Sequence, residues 1–417
     1  MSHTILTFVA KVHPSRVSDL AALLAEIEAN PRNNPHVPFA ALEKLHFGSL
    51  VIFPDDTFGT YLVFENNFDG DLEPYLADLW QHAGLGLHRI YGHCVGYEGG
   101  GAPDRERLLS FLRARVVRPN AWHIGNVGRT ATRIRQEATL RAELDEFLDG
   151  ESRNPDGSPS AIRRRIQDFV RQRPSLSWAQ QAVGPRLSLA ERVGPWARIV
   201  GLALVALLLS PVLVPLLIVY IIVLRRRERT DPVVIEPPAP EHIRRLAARE
   251  DNAVQNHLAN ISYVKPGTFR GMTMRAILFL TNVVARVSTR GKLSGLTSLH
   301  FAHWALIDEG RRLLFLTNYD GSWENYLDDF IDKASIGLTG IWSNTVNFPR
   351  TRFLVLGGAQ DERRFKTISR RNQVYSNVWY SAYDHLTVQA IDNNSAIREQ
   401  LFSSLDEEGT RRWLWRF

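Results

Sequence analysis

Two ten-residue stretches decide how this chain is organised: NFDGDLEPYL at Asn67–Leu76 and NYDGSWENYL at Asn318–Leu327. Both begin with Asn-aromatic-Asp-Gly and end in Tyr-Leu, and they lie 251 positions apart. Upstream of each, the tripeptide LHF occurs at 45–47 and again at 299–301. A repeated pattern at a nearly fixed offset indicates an internal repeat.

Further matches follow in the same order along the chain. LGLHRIYGHCVGY (85–97) aligns with IGLTGIWSNTVNF (336–348), and Trp122 and Arg141 align with Trp379 and Arg398. The offset drifts from 251 to 257 because the second half inserts PRTRFLVL at 349–356. We therefore interpret 1–150 and 255–405 as diverged copies of one unit.

The periodicity of each half predicts the order strand, helix, strand, strand, helix, strand, with the last strand at 87–97 and 338–344. This is the order of a ferredoxin-like unit. The predicted fold class is α+β, with two tandem ferredoxin-like repeats that form an intramolecular α+β barrel. An apolar membrane segment is inserted between the repeats.

This architecture, with Asp-Gly directly after a strand, resembles the dimeric α+β barrel superfamily and, within it, the dye-decolorizing peroxidases. The resemblance implies haem as a cofactor and an aspartate acting on its distal side, which would be Asp69 or Asp320. The family's Gly-x-x-Asp-Gly signature is matched here only at Asp-Gly, because Asn66 and Thr317 replace its first glycine.

Histidine and aspartate recur at equivalent positions of the two halves. His46 and His300 either bind a ligand or hydrogen-bond where the two sheets meet. Asp69 and Asp320 either act in proton transfer or cap the helix that follows them. The predicted catalytic set is His300, Asp320 and Arg398, and its first-half equivalents are His46, Asp69 and Arg141.

Aromatic residues concentrate in the second half, where His303, Trp342, Trp379 and Tyr380 either line an apolar pocket or belong to the core. Asp104 and Asp361 are predicted helix caps. His93 and Cys94 follow each other on a predicted strand and so point to opposite faces, which argues against a metal site; no metal is predicted. Nucleotide-binding and hydrolase motifs do not occur.

The formal net charge of +6 is concentrated around the apolar segment. Residues 150–198 carry nine Lys/Arg and four Asp/Glu, and 225–250 carry seven and five. This distribution favours anionic lipid headgroups over nucleic acid as the partner. The single cysteine and the absence of a secretion signal at the start of the sequence favour a cytoplasmic location for both halves.

Residues 199–224 form an apolar run of 26 residues without a charge, which is long enough to span a membrane. Pro211 and Pro215 divide it into two short arms, as in a re-entrant hairpin. A hairpin would leave both halves on one side of the bilayer; a single kinked span remains the alternative. Basic residues flank the run, including Arg225, Arg226 and Arg227 after it.

The connecting segments have their own predicted roles. Residues 151–198 are a basic linker whose Ser160–Arg173 helix either lies on the membrane surface or packs onto a domain. Trp178, Trp196 and the aromatic tail at 406–417 are predicted headgroup anchors, and 225–254 is a basic, proline-rich spacer.

These observations predict a membrane-attached protein, with its soluble halves on the cytoplasmic side, that binds or oxidatively processes an apolar or redox-active small molecule. Peroxidase-like chemistry is what the family resemblance implies. The alternative is a non-catalytic membrane scaffold, and either version allows a homo-oligomer.

Overall fold

The two halves of the chain share one order of helices and strands, to which the second half adds two short strands and a final helix. The computed structural model describes residues 3–151, 157–181, 189–234, 236–250, 253–288 and 293–417. The first half contains β1 (His3–Lys11), α1 (Val17–Glu28), β2 (Leu45–Phe53), β3 (Tyr61–Asp69), α2 (Leu72–Tyr91), α3 (Arg105–Arg113), β4 (Val116–Val117), β5 (Ala121–Ile124) and α4 (Ala131–Glu151).

The connector contains α5 (Pro159–Gln172), α6 (Leu189–Leu208), α7 (Ser210–Thr230) and α8 (Pro240–Ala247). The second half contains β6 (Gln255–Tyr263), α9 (Thr268–Ser288), β7 (Leu299–Ile307), β8 (Arg312–Asp320), α10 (Trp323–Trp342), β9 (Thr351–Arg352), β10 (Leu356–Gly357), α11 (Glu362–Asn372), β11 (Gln373–Val374), β12 (Val378–Ser381), α12 (Val388–Gln400) and α13 (Glu407–Leu414).

The strands form two five-stranded antiparallel sheets in the orders β12-β2-β3-β1-β4 and β11-β6-β8-β7-β5. Each sheet takes one outer strand from the opposite half, because β12 pairs with β2 and β5 pairs with β7. Equivalent register shifts occur between Leu45 and Phe47 and between Leu299 and Phe301. The halves are therefore joined through backbone hydrogen bonds as well as side-chain packing.

The two sheets face each other, and helices cover their outer faces. Val51 and Val63 of the first sheet pack against Ala305, Leu314 and Leu316 of the second. On the outside, α1 and α2 cover the first sheet, whereas α9 and α10 cover the second. The prediction of a mixed α+β fold with antiparallel sheets is confirmed.

The predicted strands at 87–97 and 338–344 are wrong. Helix α2 continues to Tyr91 and α10 to Trp342. In α2 the buried Leu79, Ala83, Leu87 and Ile90 recur every three or four residues, which is the spacing of a helix face packed on the core. The polar pattern of this stretch also suits a strand, but the helical packing determines its conformation. Cys94, predicted to lie on this strand, instead forms an isolated bridge with Val12 beyond the helix.

Helix α5 and the carboxy-terminal tail pack onto the protein. Ile166 and Val170 of α5 lie in a buried cluster with Leu140, Ile397 and Trp413. The tail's Trp413 is fully buried and its indole N–H donates to Ile397 O at 3.0 Å. Of the two alternatives for α5, packing onto the protein is the one observed, and Trp413 of the tail is buried in the same cluster, whereas Trp415 is exposed. Trp196 is exposed as well.

The apolar run forms two helices, α6 and α7, that meet at 88°. Within the described ranges, no single helix is long and apolar enough to cross a membrane, whereas the bent pair Val193–Leu208 and Ser210–Thr230 meets that test of length and composition. The break lies at Leu209, one residue before α7 begins. Pro211 sits in the first turn of α7, where a missing N–H costs no helical hydrogen bond, and Pro215 lies inside the helix.

Candidate functional site

The structure brings together the repeated histidine and aspartate in both halves. His46 Nε2 lies 3.0 Å from Asp69 Oδ1, and His300 Nε2 lies 2.7 Å from Asp320 Oδ1. Both histidines are almost fully buried at the irregular start of β2 and β7. A carboxylate only accepts hydrogen bonds, so each histidine donates from Nε2.

The second oxygen of each aspartate caps a helix. Asp69 Oδ2 accepts from the Ala131 N–H at the start of α4, and Asp320 Oδ2 accepts from the Val388 N–H at the start of α12, both at 2.8 Å. Both aspartates cap a helix, as predicted, but the capped helices are α4 and α12. The prediction named the helices that directly follow the aspartates in the chain, α2 and α10. Asp104 and Asp361 do cap the helices predicted, α3 and α11.

The first-half pair is part of a longer hydrogen-bond chain. Tyr383 Oη lies 2.8 Å from His46 Nδ1, and His3 Nδ1 lies 3.0 Å from Asp69 Oδ1. His3 Nε2 accepts from the Gly128 N–H at 2.9 Å, which places the ring proton of a neutral His3 on Nδ1. Tyr383 therefore donates to His46, and His46 donates to Asp69, whereas His3 Nδ1 lies close to the same carboxylate oxygen without hydrogen-bond geometry.

The second-half pair lacks these additions. Gln255 stands opposite Asp320 where His3 stands opposite Asp69 in the strand register. His300 Nδ1 is buried and has no hydrogen-bond partner among the described residues. Its ring packs against Phe47, with 5.2 Å between ring centroids. The first half thus holds the more elaborate centre, whereas the sequence favoured the second.

Burial and hydrogen bonding set the charge states of the first-half centre. Burial lowers the pKa of His46 more than the neighbouring Asp69 raises it, so this histidine is neutral at pH 7. Burial opposes ionisation of Asp69, but the adjacent His46, the nearby His3 and hydrogen bonds from His46 and Ala131 hold its pKa well below the ordinary range. Asp69 is therefore a buried carboxylate that accepts from the neutral His46.

His3, His46 and Asp69 place their nitrogen and oxygen atoms within 4.8 Å of one another, as metal ligands would. A metal on His3 would need the Nδ1 lone pair. That nitrogen carries the proton while Nε2 accepts from Gly128. The donor set therefore fits a proton-sharing chain better than a metal centre.

A second polar cluster lies between the sheets around Glu65. Its carboxylate accepts from His257 Nε2 at 2.9 Å and from the Asn67 side chain at 2.9 Å, and His303 Nδ1 lies 3.8 Å away. Burial alone would raise the pKa of Glu65, but these histidines and hydrogen bonds outweigh it and hold that pKa at about 2. Burial lowers the pKa of His303 to about 4. The buried Glu65 carboxylate of the first half thus lies beside His257 and His303 of the second half and joins the two halves.

The remaining predicted site residues lie apart from the His–Asp centres. Arg398 is on α12 about 15 Å along the helix from the Asp320 cap, and it donates to the Trp178 and Gln181 carbonyls. Arg141 bonds Asp145 and the Arg416 carbonyl. Both arginines thus tie α4 and α12 to neighbouring segments.

The predicted pocket aromatics are also dispersed. Trp342 lies in the core beside a cavity of about 20 Å³, which has room for little more than one water. Tyr380 stacks on Phe39 at 5.4 Å, on the helix-covered side of the first sheet. The Trp379 indole N–H donates to Asn318 Oδ1 at 2.9 Å, between the sheets.

A groove of about 300 Å³ opens next to the first-half centre. It lies where β1 and β4 of one sheet meet β5 of the other, and His3 forms part of its wall. The other lining residues are Thr4, Ile5, Leu6, Asp71, Leu72, Val116, Arg118, Pro119, Trp122 and Ile124. This volume is at the lower end for small-molecule sites.

Sequence reasoning missed His3, Tyr383, Glu65 and His257. The duplication singled out only residues present in both halves, and these four are not repeated in kind. One signal was available for His3. An antiparallel pairing of β1 with β3 places His3 opposite Asp69.

In comparisons with known proteins, no family model, no curated protein and no solved structure matches this chain.

Proposed function

We propose that this is a membrane-attached protein in which α6 and α7 insert into one leaflet as a re-entrant hairpin. Its halves are diverged ferredoxin-like repeats forming an intramolecular α+β barrel, held on the cytoplasmic side, that binds a small apolar molecule. The observation that carries the proposal is the exposed apolar surface of the bent helix pair.

That surface is too apolar to suit water. The exposed large side chains of the pair include Val205, Leu207, Leu208, Leu213, Leu216, Leu217, Ile218 and Ile222. Contiguous exposed apolar patches beyond a few hundred Å² are rare on soluble monomers and mark membrane or protein contacts. Burial of apolar area stabilises by about 25 cal/mol per Å², so a few such side chains supply several kcal/mol of membrane affinity.

Both ends of the hairpin return to the protein. The Tyr220 ring of α7 stacks on Phe269 at 5.1 Å, and its hydroxyl bonds Thr273 at 3.3 Å. Eight residues on, buried Glu228 accepts from the Thr351 hydroxyl and from the Phe353 and Leu354 N–H groups. α6 also packs against α9. A loop anchored at both ends is what a hairpin requires and a separating span does not.

The neighbouring helix α9 extends the apolar surface. Its exposed side chains include Met272, Phe279, Leu280 and Val284. The equivalent α1 of the first half, VSDLAALLAEIE, has no large apolar side chain that is exposed. Apolar exposure on α9 therefore supports a bilayer lying against the second half.

Flotation with vesicles of phosphatidylcholine and phosphatidylserine tests the attachment. The unmodified protein is expected to float, and the double variant Leu213→Asp/Leu217→Asp is expected to stay at the bottom of the gradient. Leu85→Asp is the matched control, because Leu85 on α2 is 53% exposed and Leu217 is 54% exposed. Equal flotation of all three proteins would refute insertion through α7.

The groove beside His3 is the observation that favours small-molecule binding over a purely scaffolding role. The family resemblance also implied haem, with His300 in the site. The residues do not fit that group: His300 is almost fully buried, its ring packs against Phe47 and Tyr383, and it lines neither of the two cavities described above. The absorbance of the purified protein after addition of haemin checks this, and a Soret band abolished by His300→Ala would contradict it.

A further inference from the structure

A serine, a histidine and a glutamate form a continuous hydrogen-bond chain where the two halves meet. Ser376 Oγ lies 2.6 Å from His257 Nδ1, and His257 Nε2 lies 2.9 Å from Glu65 Oε2. Ser376 belongs to the loop between β11 and β12, His257 to β6 and Glu65 to β3. A hydroxyl bonded to a base, which is itself bonded to an orienting carboxylate, is the arrangement that activates serine as a nucleophile.

The carboxylate of Glu65 fixes the orientation of the histidine. Besides the bond from His257, Glu65 Oε1 accepts from the Asn67 and Asn318 side chains at 2.9 and 3.2 Å. A carboxylate only accepts hydrogen bonds, so the proton of a neutral His257 lies on Nε2 and its Nδ1 lone pair faces Ser376. The serine hydroxyl therefore donates to Nδ1, which is the direction of proton transfer that general-base catalysis requires.

The hydrogen-bond chain runs from the protein interior to its surface. The Glu65 side chain is fully buried and that of His257 is 2% exposed, whereas Ser376 is partly exposed. Arg249 Nη1 donates to the Ser376 carbonyl at 3.1 Å, which fixes the backbone of the loop. The nucleophile end of the chain therefore meets solvent, while the carboxylate end is shielded from it.

The duplication indicates that this set of three residues is more than a joint of the fold. A joint needed for pairing the sheets is expected in both halves, as the His–Asp pairs are. The positions equivalent to His257, Glu65 and Ser376, by strand register and by the offset of 257, are Ile5, Leu316 and Pro119. None of these can transfer a proton. The sequence around Ser376, VYSNV, contains no GxSxG motif, so the set is recognised by its geometry alone.

We propose that Ser376 is the nucleophile of a site that hydrolyses carboxylic esters, with His257 as general base and Glu65 as the positioning residue. The Ser376 oxygen attacks the ester carbonyl carbon while its proton passes to His257 Nδ1, and that proton leaves with the alcohol as the ester C–O bond breaks. Water, deprotonated by the same nitrogen, then attacks the acyl-serine, which releases the acid and restores the hydroxyl. Glu65 stays ionised and stabilises the imidazolium that forms. This activity goes beyond the binding role proposed above.

Labelling of the full chain with a fluorophosphonate tests the nucleophile, because this probe forms an Oγ–P bond with an activated serine and releases fluoride. One adduct per chain is expected, located at Ser376 by peptide mass spectrometry, and Ser376→Ala should abolish it. Ser369→Ala is the matched control, since Ser369 on α11 is also partly exposed but is not part of the hydrogen-bond chain. Absence of an adduct at Ser376, or equal labelling of Ser376→Ala, would overturn the proposal.

Hydrolysis of p-nitrophenyl acetate tests the base. His257→Gln keeps a side-chain N–H for Glu65 but cannot take up a proton, so kcat is expected to fall at least about 100-fold while KM changes little. An unchanged kcat would show that the bond between His257 and Ser376 is structural only. If His257→Gln does not fold, Ser376→Ala decides the question, because it removes a single partly exposed hydroxyl and should lose the activity. Vesicle flotation does not depend on Ser376, so failure of hydrolysis and failure of membrane attachment remain distinguishable.

Discussion

At the scale of single residues, Asp69 combines a helix cap with a buried charge. It accepts from His46 and the Ala131 N–H and lies 3.0 Å from His3 Nδ1, so its removal leaves two buried donors without an acceptor. We expect Asp69→Ala to lower the free energy of unfolding by about 3–5 kcal/mol, as measured by urea denaturation at pH 7. Asp71→Ala, an exposed neighbour, should change it by less than about 0.5 kcal/mol. Equal losses would contradict the role given to Asp69.

His123 makes a separate prediction about pH. Burial lowers its pKa to about 3, and its Nε2 has no hydrogen-bond partner among the described residues. Below pH 6.5 the His123 side chain is protonated in the unfolded chain but stays neutral in the folded protein, so acid favours unfolding. Between pH 7 and pH 5 the unmodified protein should lose about 2 kcal/mol more stability than His123→Leu. The same loss in both proteins would show that His123 is protonated inside the fold.

The duplication allowed the sequence to identify the two His–Asp pairs, because His46, Asp69 and their counterparts recur at matching positions. It did not identify their partners. His3 and Tyr383 reach His46 and Asp69 from strands and loops that are distant in the chain, so only the strand register brings them together. The sequence left two alternatives for His46 and His300, ligand binding or a contact between the sheets. Deciding between them requires these partners.

At the scale of elements, periodicity predicted the long strands and most helices but failed at 87–97 and 338–344. Both stretches alternate locally, yet they continue helices whose apolar faces are already set by preceding turns. The sheets instead gain short strands, β4 and β11, and one crossing strand each. Two-residue strands carry too little pattern for recognition from sequence.

The anchor of α7 depends on Glu228, which accepts two backbone N–H groups and the Thr351 hydroxyl and pairs with Arg225. Glu228→Ala should release this end of the hairpin and increase amide hydrogen exchange at Phe353 and Leu354, measured by mass spectrometry. Glu236→Ala, which removes an exposed ion pair with Arg371, serves as the control. Unchanged protection in Glu228→Ala would show that α7 is held by other contacts.

At the scale of the whole molecule, each sheet is completed by a strand from the opposite half. A half expressed alone would expose β2 or β7 as an unpaired edge, and such edges promote aggregation. Residues 1–150 alone are therefore expected to be insoluble, and coexpression with 189–417 should recover both halves as one complex in affinity purification. A soluble, cooperatively folding first half would contradict the exchange of strands.

The exchange of strands also constrains how the chain meets a membrane. Halves that share both sheets within one chain have to lie on the same side of any bilayer, so in the proposed attachment the apolar run enters and leaves through one surface. In the sequence, Pro211 and Pro215 left a re-entrant hairpin and a single kinked span as alternatives. The 88° bend and the anchored end of α7 now favour the hairpin.

The most direct test of membrane attachment on one side is labelling of single cysteines in reconstituted vesicles. Cys94 is the sole cysteine, so a Cys94→Ala background accepts new thiols at the exposed Asp56 of the first half and Asp332 of the second. A membrane-impermeant maleimide should label Asp56→Cys and Asp332→Cys to the same extent before detergent is added. Labelling of one position and protection of the other would place the halves on opposite sides and contradict the account.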